Sequence, residues 1–261
     1  MPVLRQVDAW LEQAVRSALD QTVPCEVVVV MAPATPSGNR DVLARLQLEA
    51  PDRLVVCEAA SGYAAALNLG FRTTRGERVG LLLSDDWLAP TAVEAGLGVD
   101  ADIVSTWMQS YAEDGVTEFV HLRKEIRAHR FAALPTLEAK ADYLSHFFLL
   151  RRSCVLAIAG VDETLGDTPG IDDYDLIWVL LEHGASVAIV ERFLYHRRDH
   201  FGERLTTRPS AEMLATLGRI LDKHGVAGAE RARLLARKAR WFGEPVHVAA
   251  ARIGWKPGGS A

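Results

Sequence analysis

The chain has 261 residues, with 29 lysines and arginines against 34 aspartates and glutamates, for a formal net charge of −5. An apolar share of 49% and a charged share of 24% describe an ordinary globular chain, long enough for one large or two small domains with a sizeable core. The acidic balance gives no general electrostatics for nucleic acid. Three scattered cysteines (Cys25, Cys57, Cys154) give no disulfide framework or zinc knuckle and read as small buried hydrophobes, and no apolar run nears the ~20 residues of a membrane span.

At the N-terminus, Asp8, Glu12 and Arg16 interrupt any secretory pattern, so the cytoplasm is the expected location. Asp8 is placed to cap a helix whose apolar positions Leu11, Ala14, Val15, Ala18 and Leu19 recur at helical spacing. Cys25 to Met31 (CEVVVVM) is a β-branched run and reads as a buried strand, followed by a Pro, Ser and Gly loop. Val42, Leu43 and Leu46 mark a second helix, Leu54 to Cys57 a short strand, and Gly62 to Phe71 an Ala-rich helix.

Arg75 to Pro90 (RGERVGLLLSDDWLAP) is the stretch around which the chain is organised. Its unbroken apolar run, Val79 to Leu83, suits a strand buried on both faces of a parallel sheet. The run ends in Ser84-Asp85-Asp86. Two carboxylates there suit the crevice where open α/β sheets bind ligands, and hard oxygen ligands suit Mg²⁺ or Mn²⁺. The plain alternative is a turn in which Asp86 caps the helix near Pro90.

Thr91 to Leu97 reads as a helix, Asp102 to Trp107 as a strand and Val116 to Leu122 as a hairpin strand. Arg123 to Arg130 (RKEIRAHR) reads as a solvated basic face, with a phosphate or acceptor contact as the alternative. Ser153 is placed to cap a helix through Ala159, and Gly160-Val161-Asp162-Glu163 ends it. Asp172 opens a helix to His183, closed by Gly184. Ser186 to Val190 is a strand, and Arg197, Arg198, Asp199 and His200 form a polar knot after Leu194-Tyr195. Two helices follow, Ser210 to His224 and a basic one from Ala227 to Trp241. Trp241, Trp255 and the run from Val246 to Ile253 suit either a packed helical cap or a membrane-surface element. The alternation of helix and strand predicts a wound α/β sheet with right-handed crossovers.

Several segments in one order resemble the family 2 glycosyltransferases. Trp10 to Thr22 (WLEQAVRSALDQT) is similar to their first helix, and CEVVVVM to their second strand. Ser61 to Gly70 (SGYAAALNLG) is similar to their N-x-G-x-x-x-A-R-N-x-G segment, and Ser84-Asp85-Asp86 to their metal-binding D-x-D. Phe148 to Glu163, the Asp172-Asp173-Tyr174-Asp175-Leu176 run and Tyr195 to His200 are similar to their acceptor-side segment, E-D-Y-D-L and Y-R-x-H.

The resemblance implies a GT-A fold, a Rossmann-like wound mixed sheet flanked by helices, over residues 2–200. The donor half is 2–107, the acceptor half 108–200, and residues 201–261 form a C-terminal helical extension. It implies an inverting, hexosyltransferase-type enzyme that uses a nucleotide-sugar donor, Mg²⁺ or Mn²⁺, and an acceptor it does not identify (saccharide, natural product or peptide). Asp85, Asp86 and His200 would hold the metal. Asp173 would be the general base, and Asp172 would orient the acceptor or the helix end. Asp85, Asp86, Pro2, Val3, Asn68 and Arg198 would touch the donor. Helix capping is the alternative for Asp172 and Asp173; Trp87, beside the carboxylates, would stack on a sugar or only pack.

The chain departs from the family in four places. Met1-Pro2-Val3 corresponds to the turn after the family's first strand, so a gap is expected near the sheet centre. The family's D-D-G-S is Met31-Ala32-Pro33-Ala34, the arginine of A-R-N is Leu67, and the first aspartate of D-x-D is Leu83. These departures keep a second reading open, a catalytically silent GT-A domain acting as a binding or partner subunit.

Overall fold

The computed structural model describes residues 1–59, 62–145, 147–165, 172–202 and 207–255; Ser61 and the side chain of Asp172 lie outside what it describes. Eight strands and eleven α-helices are assigned among the described residues. The first part alternates strand and helix: β1 (Pro2–Val3), α1 (Asp8–Leu19), β2 (Val27–Met31), α2 (Ser37–Glu49), β3 (Leu54–Glu58) and α3 (Tyr63–Thr73). The expected apolar stripe of α1 is its buried face, and all four valines of β2 are buried. β1, β2 and β3 form a parallel sheet in that order.

Pro2–Val3 is therefore a strand rather than a turn, with Pro2 opposite Val30 and Val3 opposite Met31. No ladder joins it to the second sheet among the described residues. Side chains fill the junction instead, because Val3, Leu82, Phe147 and Tyr195 belong to one apolar cluster. Asp8 is the first residue of α1, not its cap; its carboxylate accepts from Asn39 Nδ2 at 2.5 Å.

The remaining elements are β4 (Arg78–Gly80), β5 (Trp87–Leu88), α4 (Ala92–Leu97), β6 (Ile103–Tyr111), α5 (Ala128–Ala133), α6 (Leu137–Tyr143), β7 (Phe148–Arg151), α7 (Arg152–Ala157), α8 (Asp172–Glu182), β8 (Val187–Arg198), α9 (Ser210–Lys223), α10 (Gly228–Lys238) and α11 (Val246–Arg252). The second sheet runs β4-β7-β6-β8-β5 and is mixed, with only β6 and β8 parallel. β4 pairs with β7 alone, antiparallel, and so is not flanked by two parallel neighbours. Two register shifts around Trp107 re-phase β8 on β6, bringing Tyr195 to Arg198 alongside Met108 to Tyr111.

Three short-range expectations change. Val116 to Leu122 is no strand: a 3₁₀ turn occupies Val120–Leu122, leaving an isolated bridge between Tyr111 and Glu118. α7 starts at Arg152 without a side-chain cap from Ser153. The cysteines are half-buried, not fully enclosed. Gly184 ends α8 as expected, at φ +81°, with Ala185 N donating to Leu180 O.

The C-terminal helices share the main core. Met213, Leu217, Ile220, Leu221 and Leu234 pack in one cluster with Leu176, Ile177 and Trp178 of α8. Basic residues of α10 are paired within the chain: Arg237 donates to Glu138 and Asp142 at 2.8 and 3.0 Å, and Lys238 to Asp142. α11 buries Ala249 and Ala250, and Trp241 packs edge-on to Trp255. No helix among the described residues is long and apolar enough to cross a membrane.

Candidate active site

The acidic doublet sits where the buried Leu81-Leu82 run leaves β4 and turns into β5. β5 pairs with β8, Trp87 opposite His196 and Leu88 opposite Tyr195, which brings the doublet against the end of β8. Asp86 is 1% exposed. A carboxylate buried so deeply needs donors, and β8 supplies them: Tyr195 Oη donates at 2.5 Å and Arg198 N at 2.8 Å. Burial, and then the Asp86 charge, push the Tyr195 hydroxyl well above its ordinary pKa, so it stays a donor. Asp86 is thus held by β8 and does not cap a helix.

Asp85 faces outward more than Asp86. Its Oδ2 lies 3.2 Å from His200 Nε2, and its carbonyl accepts from Arg198 Nε at 3.2 Å. His200 Nδ1 accepts from Gly202 N at 3.1 Å, which puts the ring proton on Nε2, toward Asp85.

Arg198 is committed to the protein rather than aimed at a phosphate. Its guanidinium also donates to Glu113 O at 2.6 Å and to Gln13 Oε1. It lies 4.8 Å from the Trp10 ring and 5.0 Å from Trp87. Burial pulls its pKa down, against the charges of Asp85 and Asp86. Trp87 packs between this cation and the rings of Tyr111 and His196, at 4.9 and 5.4 Å, so it serves as packing.

Two other expected donor contacts are also engaged. Asn68 is buried, its Nδ2 donating to Val161 O and Glu163 Oε1 and its Oδ1 accepting from Val161 N. It therefore ties α3 to the turn after α7 and does not reach toward a donor. Val3 O accepts from Ala32 N and Thr35 Oγ1, and the side chains of Pro2 and Val3 are buried.

Asp173 stands in the first turn of α8, half-buried, with Oδ1 accepting from the Tyr174 N–H at 2.9 Å. The basic segment approaches it from the other side. Lys124 is not solvated: its Nζ donates to Asp142 O and Leu144 O. Burial lowers its pKa to about 8, against the charges of Asp142 and Asp173. Ile126 is buried beside it, and Arg127 lies 4.3 Å from the Trp107 ring while pairing with Glu191. Lys124 bridges Met108, and Met108 pairs with Tyr195, whose hydroxyl holds Asp86. β6 thus carries both the bridge to Lys124 and the pairing that sets Tyr195 behind the doublet.

The sequence reading singled out neither Gln13 nor Glu113. They reach Arg198 over sequence separations of 185 and 85, and no local pattern marks such partners. Asp199 has 1% exposure and accepts from Val246 N, His247 N and His247 Nδ1.

The family model described as glycosyl transferase family 2 matches residues 1–157. The O-antigen biosynthesis protein RfbC of Myxococcus xanthus is 27% identical over 207 residues, which cover 76% of this chain and 15% of that protein. The chain spans only 15% and 26% of the curated relatives it matches. Among solved structures, the mannosyltransferase PcManGT from Pyrobaculum calidifontis, in complex with GDP-Man and Mn²⁺, is similar with a TM-score of 0.62 at 17% identity, over 100% of this chain and 75% of that one. S. aureus TarS 1–349 is similar with a TM-score of 0.60 at 16% identity, over 89% and 67%. At these identities the structures show the fold, which is that of GT-A glycosyltransferases.

Proposed function

Because this chain belongs to glycosyl transferase family 2, we propose that it transfers a sugar from a nucleotide-sugar donor to an acceptor hydroxyl with inversion at the anomeric carbon. The observation that carries this reading is the Asp85–His200 pair, backed by an Asp86 already satisfied by Tyr195 and Arg198 N. A similar structure is titled with GDP-Man and Mn²⁺ and another with UDP, which supports a nucleoside diphosphate donor.

The residues fit a divalent cation in one way. No three His, Cys, Asp or Glu side chains form a metal cage among the described residues. Asp85 offers carboxylate oxygen of the hardness Mg²⁺ or Mn²⁺ prefers, and donor phosphates would complete the shell. His200 can ligate through Nε2 only with its proton moved to Nδ1, which gives up the Gly202 contact. Residues 200–202 are therefore the part expected to shift when donor and metal bind. Asp86 acts one step behind, fixing the doublet. The cation's contribution is charge stabilisation of the departing diphosphate.

Asp173 supplies the base. Its carboxylate takes the acceptor proton as the acceptor oxygen bonds to the anomeric carbon and the bond from that carbon to the diphosphate oxygen breaks. Attack from the face opposite the leaving group gives inversion.

The test is a thermal-shift panel of UDP-, GDP-, CDP- and dTDP-sugars with and without Mn²⁺, followed by a transfer assay with the donor that responds. One diphosphate should stabilise the protein only with metal. Asp173→Asn should keep that shift and lose about 10²- to 10⁴-fold in turnover. Full activity in Asp173→Asn would remove the base. No response to any nucleotide would favour the silent binding subunit.

A further inference from the structure

Three rings from distant segments form a ledge beside the Asp85–His200 pair, with Phe201 exposed and Phe119 and His247 half-buried. Phe119 enters the 3₁₀ turn after β6, Phe201 follows His200, and His247 opens the first turn of α11. Phe119 and His247 stack at 5.1 Å and 16°, and Phe201 stands edge-on to His247 at 4.7 Å and 85°. Phe201 is 70% exposed.

The ledge is held from beneath. Asp199, itself buried, accepts from His247 N at 2.6 Å and from its Nδ1 at 3.1 Å. That fixes the ring proton on Nδ1 and leaves Nε2 as an acceptor on the other edge. Phe201 N donates to Glu113 Oε1 at 3.0 Å, and Glu113 O holds Arg198, behind the acidic doublet. A single exposed phenylalanine on a surface is unremarked. Here backbone and side-chain bonds to two carboxylates set the rings in place, next to a polar site.

We propose that this ledge binds one pyranose ring of a saccharide acceptor, a ring other than the one that reacts. The inference rests on the transfer reading above and names the acceptor class for that site. Ring faces carry negative quadrupole density, which suits the polarised C–H face of a pyranose. His247 Nε2, Glu113 and the exposed His121 give the rim hydrogen-bonding groups for sugar hydroxyls, which an acyl chain could not use.

The probe is a set of methyl pyranosides (glucose, galactose, mannose, N-acetylglucosamine) with the full chain, read by saturation-transfer NMR and titration. At least one should bind, with saturation strongest on the C–H groups of one ring face. Phe201→Tyr should bind within about twofold of wild type, whereas Phe201→Ala and Phe201→Leu should each weaken binding about five- to tenfold. His247→Ala should weaken it as well. Leucine binding as well as phenylalanine would overturn the proposal, since an apolar patch and not a ring face would then be the determinant. Failure of every pyranoside to bind wild type would also overturn it. The thermal shift with nucleotide-sugars reads the transfer function separately. A nucleotide response without pyranoside binding sinks the ledge alone, and pyranoside binding sensitive to Phe201 without a nucleotide response leaves the ledge standing and removes the transfer reading.

Discussion

Two buried clusters in this molecule use the same parts and end in opposite states. Each has an aspartate, a histidine and a tryptophan. In the first, Asp85 meets His200, whose ring lies 4.8 Å from Trp10 at 54°. In the second, Asp175 meets His224, stacked on Trp178 at 3.9 Å and 5°. His224 has a carboxylate on each ring nitrogen, Asp175 at 3.0 Å and Glu182 at 2.7 Å. Lys223 closes the second cluster by bridging Asp175 and Asp162 at 2.8 and 2.9 Å. Its charges are matched inside the protein, and it fastens α9 to α8. Among the described residues His200 faces one carboxylate, and its other nitrogen takes a backbone N–H. The difference lies in what faces the second nitrogen, a second carboxylate in the clamp and a backbone amide beside the doublet.

The largest expected break in this contrast is Asp175→Leu. It strips one counter-charge from both His224 and Lys223, and breaking a buried pair costs about 3–5 kcal/mol. Urea unfolding should show that loss with the metal-dependent shift intact. Asp85→Asn should do the reverse, losing the Mn²⁺ response while unfolding stays within about 1 kcal/mol of wild type, because the amide oxygen still accepts from His200.

Tyr195→Phe comes next. It removes one of the donors to buried Asp86 and should lower stability by about 2 kcal/mol. Loss of metal affinity in this variant would show that Asp86 must be fixed for Asp85 to work; unchanged affinity would make the two carboxylates independent.

The smallest effect is on pH. Burial alone would lower the His224 pKa, but its hydrogen bonds to Asp175 and Glu182 outweigh it and raise the value. A raised folded-state pKa gives stability that is complete below the unfolded value of about 6.5 and fades as pH rises through the folded value. The His224 contribution, read as the difference in unfolding free energy between wild type and His224→Asn, should therefore shrink as pH rises above ~6.5.

Much of the frame was readable from local pattern. The apolar spacing of α1, the valine run of β2, the Gly184 stop and the abrupt Ser84-Asp85-Asp86 ending all depend on neighbours in sequence, and each appears in the structure. Patterns of one residue type misled where a partner decides. Arg123 to Arg130 looked solvated, and Glu125 and Ala128 to Arg130 are exposed, yet Lys124 donates to the carbonyls of Asp142 and Leu144 and Ile126 is buried. Arg198 and Asn68 looked like ligand contacts, yet protein oxygens already occupy both.

The sequence by itself determined the longer periodic elements, such as α1, β2 and α8, and that acidic residues close a buried apolar run, because both follow from side-chain period and from the cost of burying charge. Only the tertiary structure decided which partners each buried charge meets. Asp86 depends on a tyrosine 109 positions away and Arg198 on a glutamine 185 positions away. Whether a buried ion is a clamp or a site depends on the partners the fold brings within about 3 Å of it, and sequence spacing carries no measure of that distance.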